Sequence, residues 1–262
     1  MPNVGKRDLR LRHVKSHATW DSSWDRTVTL LSEGKGSRGG CLSNLSRFAF
    51  ANAIDSWFSS SDIVRCKNWF FTTSRVRRER WPLLSADDTS YSPIGVFQDF
   101  LPALISDNRT EREALRAMGL ILKGVPTNRP IYGAELPHLA IAAIRQEFDQ
   151  VHRRAEKVLA AGDEPFFEPD YRFFLALASG DRPGMQAEIA KLLTEDVLAK
   201  RENLESGYTQ DLISTFAVIY AKLAWLCGYE IVINSPLVPA EWLPVAPLPE
   251  YKFPWNFPLT ET

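Results

Sequence analysis

The chain lacks the residues and patterns on which most catalytic and metal sites are built. Its 262 residues include 3 cysteines, Cys41, Cys66 and Cys227. They are far apart, odd in number and without C-x-x-C spacing, which argues against a disulfide framework or a cysteine zinc site and fits a reducing compartment. Of its 4 histidines, His13 and His17 would share a helical face, as metal ligands can. No glutamate stands between them and Lys15 does, so a solvated basic tail is the expected role. His138 and His152 have no cysteine or carboxylate pattern beside them. No G-x-S-x-G, H-E-x-x-H or G-x-G-x-x-G run occurs. The cluster Gly34–Gly40 holds Lys35 and Ser37 out of phosphate-loop order, and reads as a loop.

Long apolar runs are missing too. The longest, Phe216–Ile233, is interrupted by Lys222, Gly228 and Glu230. It reads as a buried helix running into an extended segment, not as a membrane span. The N-terminus is basic through Lys6, Arg7, Arg10, Arg12 and Lys15 but has no apolar core of a secretory signal. A cytoplasmic protein with no membrane partner is expected, and no cofactor or metal.

What is present is a hydrophobic content of 45%, enough for a sizeable core, with 8 tryptophans, 15 phenylalanines and 7 tyrosines. The net charge of −1 hides an asymmetry: residues 1–80 hold 15 Lys and Arg against 7 Asp and Glu, and residues 81–262 hold 16 against 25. A basic front and an acidic rear make a polarised surface one possibility, and mutual cancellation on folding the other.

Helical periodicity dominates from Cys41 onward. Leu42, Leu45, Phe48, Ala49 and Ala53 recur at three- and four-residue spacing. Ser59-Ser60-Ser61-Asp62 then breaks one helix and caps the next, which carries Val64, Trp69, Phe70 and Phe71. Residues 81–93 read as a loop, with Asp87 and Asp88 a solvated acidic pair. Helices are expected near 94–105, 110–123 and 135–161. Thr110 and Glu113 have capping-box spacing, and Gly124 and Pro126 stop that helix. Two short helices joined at Gly180-Asp181, the second opening near Pro183, form an αα-hairpin. Another helix spans about 208–227, and Tyr229–Asn234 is the best strand candidate. Residues 1–40 read as an irregular basic segment and 41–262 as one helical domain. The fold class is all-α: an irregular, tetratricopeptide-like array of antiparallel helical hairpins, with one short strand and a Pro/aromatic-rich strap over 235–262. Seven of the 17 prolines fall between 236 and 258. They alternate with Trp242, Tyr251, Phe253, Trp255 and Phe257, aromatics that a disordered linker would not carry.

Two clusters could bind a partner. Arg75-Val76-Arg77-Arg78-Glu79-Arg80 follows Trp69-Phe70-Phe71, and basic residues beside aromatics suit nucleic acid, since phosphates need charge and bases need stacking. The aromatics fall at core-like positions, however, so a solvated arginine face beside a buried one is the preferred reading. The acidic stretch Asp163, Glu164, Phe166, Phe167, Glu168 and Asp170 opens the αα-hairpin. Its carboxylates suit a helix N-terminus, and carboxylates with aromatic anchors equally suit a protein interface.

The C-terminal third resembles the immunity protein 49 family of bacterial polymorphic toxin systems. The resemblance rests on Tyr171-Arg172-Phe173-Phe174-Leu175-Ala176-Leu177-Ala178-Ser179-Gly180-Asp181 and on Tyr220–Trp225 with Gly228-Tyr229-Glu230. It continues in Ser235–Pro239, Glu241-Trp242-Leu243-Pro244 and Pro247–Tyr251. It implies a non-enzymatic protein that protects its producer by binding a cognate toxin, an intracellular effector such as a basic nuclease. Asp163, Glu164, Phe166, Phe167, Glu168 and Asp170 are then the expected toxin-binding residues. The runner-up is a nucleic-acid-binding or adaptor protein using Arg75, Arg77, Arg78 and Arg80.

Overall fold

The computed structural model describes residues 4–81, 92–122, 133–257 and 259. The expected features Asp87, Asp88, Gly124 and Pro126 lie outside them. The described residues are helical and irregular, with no strand, in agreement with the all-α expectation.

Residues 1–40 are not the irregular segment expected. They contain α1 (Val4–Ala18) and α2 (Ser22–Ser32), the latter capped by Asp21, which accepts from Ser23 N at 2.8 Å. α1 is so polar that its helical signal is confined to Leu11, Val14 and Ala18, which pack on the core at i, i+3 and i+7. Asn52 then fastens its end by donating to the Ala18 carbonyl at 3.1 Å.

α3 (Arg38–Ser60) begins inside the glycine cluster, and with α4 (Ile63–Arg78) it forms the first hairpin. The predicted break is there: Ser61 takes a left-handed conformation (φ 53°) and Asp62 accepts from Arg65 N at 2.9 Å. α5 (Pro93–Gln98) and α6 (Phe100–Ser106) divide at Asp99 what the sequence suggested was one helix. α7 (Arg109–Leu122) is started by Asn108, whose side chain accepts from Glu111 N at 3.1 Å, and not by a Thr110–Glu113 box. The predicted long helix 135–161 is two, α8 (Leu136–Ile144) and α9 (Phe148–Ala161), broken where Gln146 adopts φ 60°.

The hairpin of α10 (Glu168–Ser179) and α11 (Arg182–Leu192) forms as read. Gly180 sits at φ 71°, and a Cβ there would come within 3.2 Å of the Tyr229 hydroxyl. Asp181 accepts from Gly184 N at 3.0 Å. A short surface helix, α12 (Glu195–Lys200), follows, and then α13 (Thr215–Leu226), buried along nearly its whole length. α13 packs against α6, α8 and α11, so it joins helices far apart in the chain, while α8 to α11 pack each on the next.

No ladder forms at Tyr229–Asn234. The segment is irregular, with Ile231 N bonded to Tyr229 O at 2.9 Å, and side chains take its other carbonyls: Trp225 Nε1 donates to Ile231 O at 3.0 Å and Gln186 Nε2 to Val232 O at 2.8 Å. The Pro-rich strap uses the same device. Tyr251, Phe253, Trp255 and Phe257 turn inward and alternate with exposed Lys252, Pro254 and Asn256. The Asn68 amide pairs with both backbone groups of Lys252, at 2.8 and 3.0 Å. Trp242 and Leu243 are buried in the main core, whereas Phe253, Trp255 and Phe257 pack into a second cluster on α2 and α3, with Leu31, Leu42 and Leu45.

A buried charge knot fixes the strap. Asp107, the left-handed C-cap of α6, pairs with Lys67 of α4 at 2.7 Å and Lys222 of α13 at 2.8 Å. Lys222 Nζ also donates to the carbonyls of Trp242, Leu243 and Pro244 at 2.9–3.1 Å, and Lys67 Nζ to Ala246 O at 2.7 Å.

Candidate partner-binding face

The acidic stretch before α10 is split by folding into a buried half and a surface half. A 3-10 turn, Pro165–Phe167, leads directly into α10. It places Phe167 and Asp170 inside, leaves Asp163 and Phe166 exposed, and holds Glu164 and Glu168 between these extremes. Asp170 and Phe167 are therefore buried, where the sequence suggested surface positions.

Asp170 has a structural task. Its carboxylate accepts from Arg201 at 3.0 and 2.5 Å and from the Tyr220 hydroxyl at 2.6 Å. Arg201 ends α12, donates to the Phe166 carbonyl at 2.7 Å, and lies against the rings of Phe166, Phe167 and Phe216 at 4.9, 5.1 and 5.5 Å. Burial works against its charge, but the bonds to Asp170 hold its pKa above the ordinary value. Burial and the neighbouring Asp170 also push the Tyr220 hydroxyl well up, so it stays a donor. One guanidinium thus ties α12 to the 165–167 turn and sets both beside α10.

Glu164 is committed locally. One of its oxygens accepts from the Tyr171 hydroxyl at 2.6 Å and from Gly133 N at 2.7 Å. Outside this frame stand Asp163, Phe166 (40% exposed) and Glu168, with Glu195, Asp196 and Glu202 exposed on α12 and the turn after it. Glu168 pairs with Arg172 and Asp196 with Lys200, each at 2.7 Å along its own helix. Exposed pairs of this kind are held weakly and can be exchanged for a partner's cations. The α12 carboxylates are what the sequence reading missed. The signal was two acidic residues in the first turn of a six-residue helix with no buried side chain.

The basic run at 75–80 does not form a solvated face. Arg77 donates to Asp99 at 2.8 Å and to Ser46 at 3.1 Å and lies over the Phe50 ring, and buried Arg78 pairs with Glu111 at 3.3 Å. Burial pushes the Glu111 pKa up to about 7, against the Ser74 hydrogen bond and the Arg75 charge. Arg77, Arg80 and Asp99 help line a cavity of about 240 Å³. Among its described lining residues Asp99 is the sole carboxylate and there is no histidine, so no acid–base pair converges there. His13 and His17 do share a face, 4.6 Å apart, but His13 stacks on Tyr208 and His17 meets that ring edge-on, and no group among the described residues could hold a metal ion. Nor is any helix among them long and apolar enough to cross a membrane.

The sequence resemblance and this framework coincide in the same stretch of chain. Residues 139–242 match the family model Immunity protein 49. The immunity protein 49 match opens within α8 and closes at Trp242, so it takes in the Asp170–Arg201–Tyr220 frame, α12 and the whole of α13. It begins earlier than the motifs read from the sequence and ends before Pro247–Tyr251, which leaves the second half of the strap outside it. No curated protein and no solved structure matches the chain.

Proposed function

We propose that the protein is an immunity protein that neutralises a cognate bacterial toxin by direct binding, without turnover, in the cytoplasm of the producing cell. The observation that carries this reading is the immunity protein 49 match over the helices that form the acidic face. The toxin is an intracellular effector of basic character, such as a nuclease, whose phosphate-binding surface is complementary to exposed carboxylates. Asp163, Phe166 and Glu168 make the contact, with Phe166 as the aromatic anchor. Phe167, Asp170 and Glu164 shape the surface from behind.

The test uses the toxin domain encoded beside the chain's own gene, made with an inactivating substitution. Titration calorimetry should give a saturable complex, and co-expression with the active toxin should restore growth. The absence of any complex would overturn the reading. Asp163→Lys with Glu168→Lys should slow association at low salt and leave the melting temperature unchanged. An unaltered association rate would place the interface elsewhere.

A further inference from the structure

α12, the loop after it and the amino-terminal half of α1 enclose a groove that neither the ion-pair frame nor the strap requires. It consists of two adjoining cavities of about 490 and 400 Å³, which share Lys6, Glu202, Gln210 and Asp211 as lining residues. Its inner wall is apolar: Ile213 and Leu237 are almost wholly buried, and Leu193 and Leu198 are partly exposed beside Pro236. Exposed Leu9 stands on the α1 side, 61% accessible. The volume is that of a ligand-sized site and far exceeds a packing defect.

The charged lining is unbalanced. Glu195, Glu202, Glu205 and Asp211 face Lys6 and Arg10, a formal charge of −2. Arg10 is already engaged, donating to Gly207 O at 2.9 Å and to Gln210, and lying 3.7 Å from Asp211. Glu205 is engaged as well: it accepts from Thr209 Oγ1 at 2.7 Å, Thr215 N at 2.8 Å and Thr215 Oγ1 at 2.5 Å. Its bonds brace the loop that forms one wall, so the groove is shaped before anything enters it. Glu202 and Asp211 stand at the junction of the two cavities with Lys6; Glu202 accepts from Gln210 and Asp211 is loosely paired with Arg10, so an incoming cation would meet both carboxylates by exchanging these contacts.

We infer that this groove receives a segment of the toxin that presents apolar side chains next to a lysine or arginine. The apolar side chains lie against Leu198, Ile213 and Leu237, and the cationic head is met by Glu202 and Asp211. The inference rests on the toxin-binding reading and adds to it a second, concave contact next to the exposed Phe166 surface. The two are joined through α12, because Arg201 at its end holds the 165–167 turn. A flat acidic face gives rate and steering, whereas a filled pocket gives residence time.

The inactivated toxin domain is the probe. Leu198→Arg fills the groove and halves its negative formal charge at a partly exposed position, and should weaken toxin binding about 30-fold or more, mainly through faster dissociation. Glu202→Lys, on an exposed side chain, should weaken it in the same sense and serves if Leu198→Arg does not fold. In the unaltered complex, hydrogen exchange should slow across residues 195–213 and 6–13. Wild-type binding with unchanged affinity in both variants would overturn the groove while leaving toxin binding intact. Absence of wild-type binding would overturn both. If Leu198→Arg instead converts a dimer of the free protein to monomer and toxin affinity is unchanged, the occupant is a second copy, and the inference fails.

Discussion

Asp170 and Lys222 illustrate how far a charged side chain's role depends on a partner distant in the chain. Asp170 lies in an acidic run that looks exposed, yet its carboxylate is buried against Arg201, 31 positions away. Asp170→Ala should destabilise the protein by about 3–5 kcal/mol, because it leaves a buried guanidinium uncompensated. Urea unfolding measures this, and a loss below about 1 kcal/mol would contradict the buried pair. Lys222 carries a pH signature. Burial lowers its pKa to about 8, against the opposing pull of Asp107. An unfolded lysine keeps its proton to about pH 10.4. Above pH 8 the unfolded chain therefore binds more protons at this site than the folded one, so stability from this group rises with pH. Between pH 7.5 and 9.5 the wild type should gain stability relative to Lys222→Met. Parallel pH profiles for the two proteins would show that the lysine titrates normally.

At the scale of elements, legibility in the sequence followed how local the stop and start signals are. The α10–α11 turn was readable because Gly180, Asp181 and Pro183 each do a local task within four residues. The break between α8 and α9 was not, because Gln146 is held at φ 60° without a glycine or proline to announce it. A non-glycine residue there carries a conformational cost, so Gln146→Gly should raise stability by up to about 1 kcal/mol, visible as a higher melting temperature. α1 was missed for the opposite reason: its apolar stripe is narrow, Leu11, Val14 and Ala18, within an otherwise polar helix. The candidate face was half legible. Its acidic character could be read, but which carboxylates turn inward depended on Arg201, Tyr171 and Gly133. The strap was recognised by its alternating aromatics, though their destination on α2 and α3 was not. Trp242→Ala should cost about 3–5 kcal/mol, because the indole is fully buried between Trp57 and Phe70. An unchanged melting temperature would mean that the strap is ornamental.

For the molecule as a whole, the basic front and acidic rear of the sequence find each other. Arg10 meets Asp211, Lys67 meets Asp107, Arg77 meets Asp99 and Arg78 meets Glu111. Much of the sequence asymmetry is thereby internal. The cationic half is drawn against the anionic half, and exposed carboxylates remain around 163–168 and on α12. Salt should therefore act unequally on the two properties of the protein. Pairs withdrawn from solvent are little screened, whereas encounter with a basic partner is. Raising the salt from about 0.05 to 0.5 M should leave the urea midpoint nearly constant and slow association with the proposed toxin partner severalfold, as stopped-flow mixing would measure.

The knot of Lys67, Asp107 and Lys222 has a consequence for how the chain comes into being. Its excess positive charge is solvated by the carbonyls of residues 242, 243, 244 and 246. Until those carbonyls arrive, α4, α6 and α13 cannot close over two ammonium groups without stranding one of them. Native packing of these three helices is therefore expected to require the 242–246 segment in place. Nascent chains arrested short of residue 242 should remain protease-sensitive, and chains extended well past 246 should become resistant in a single step.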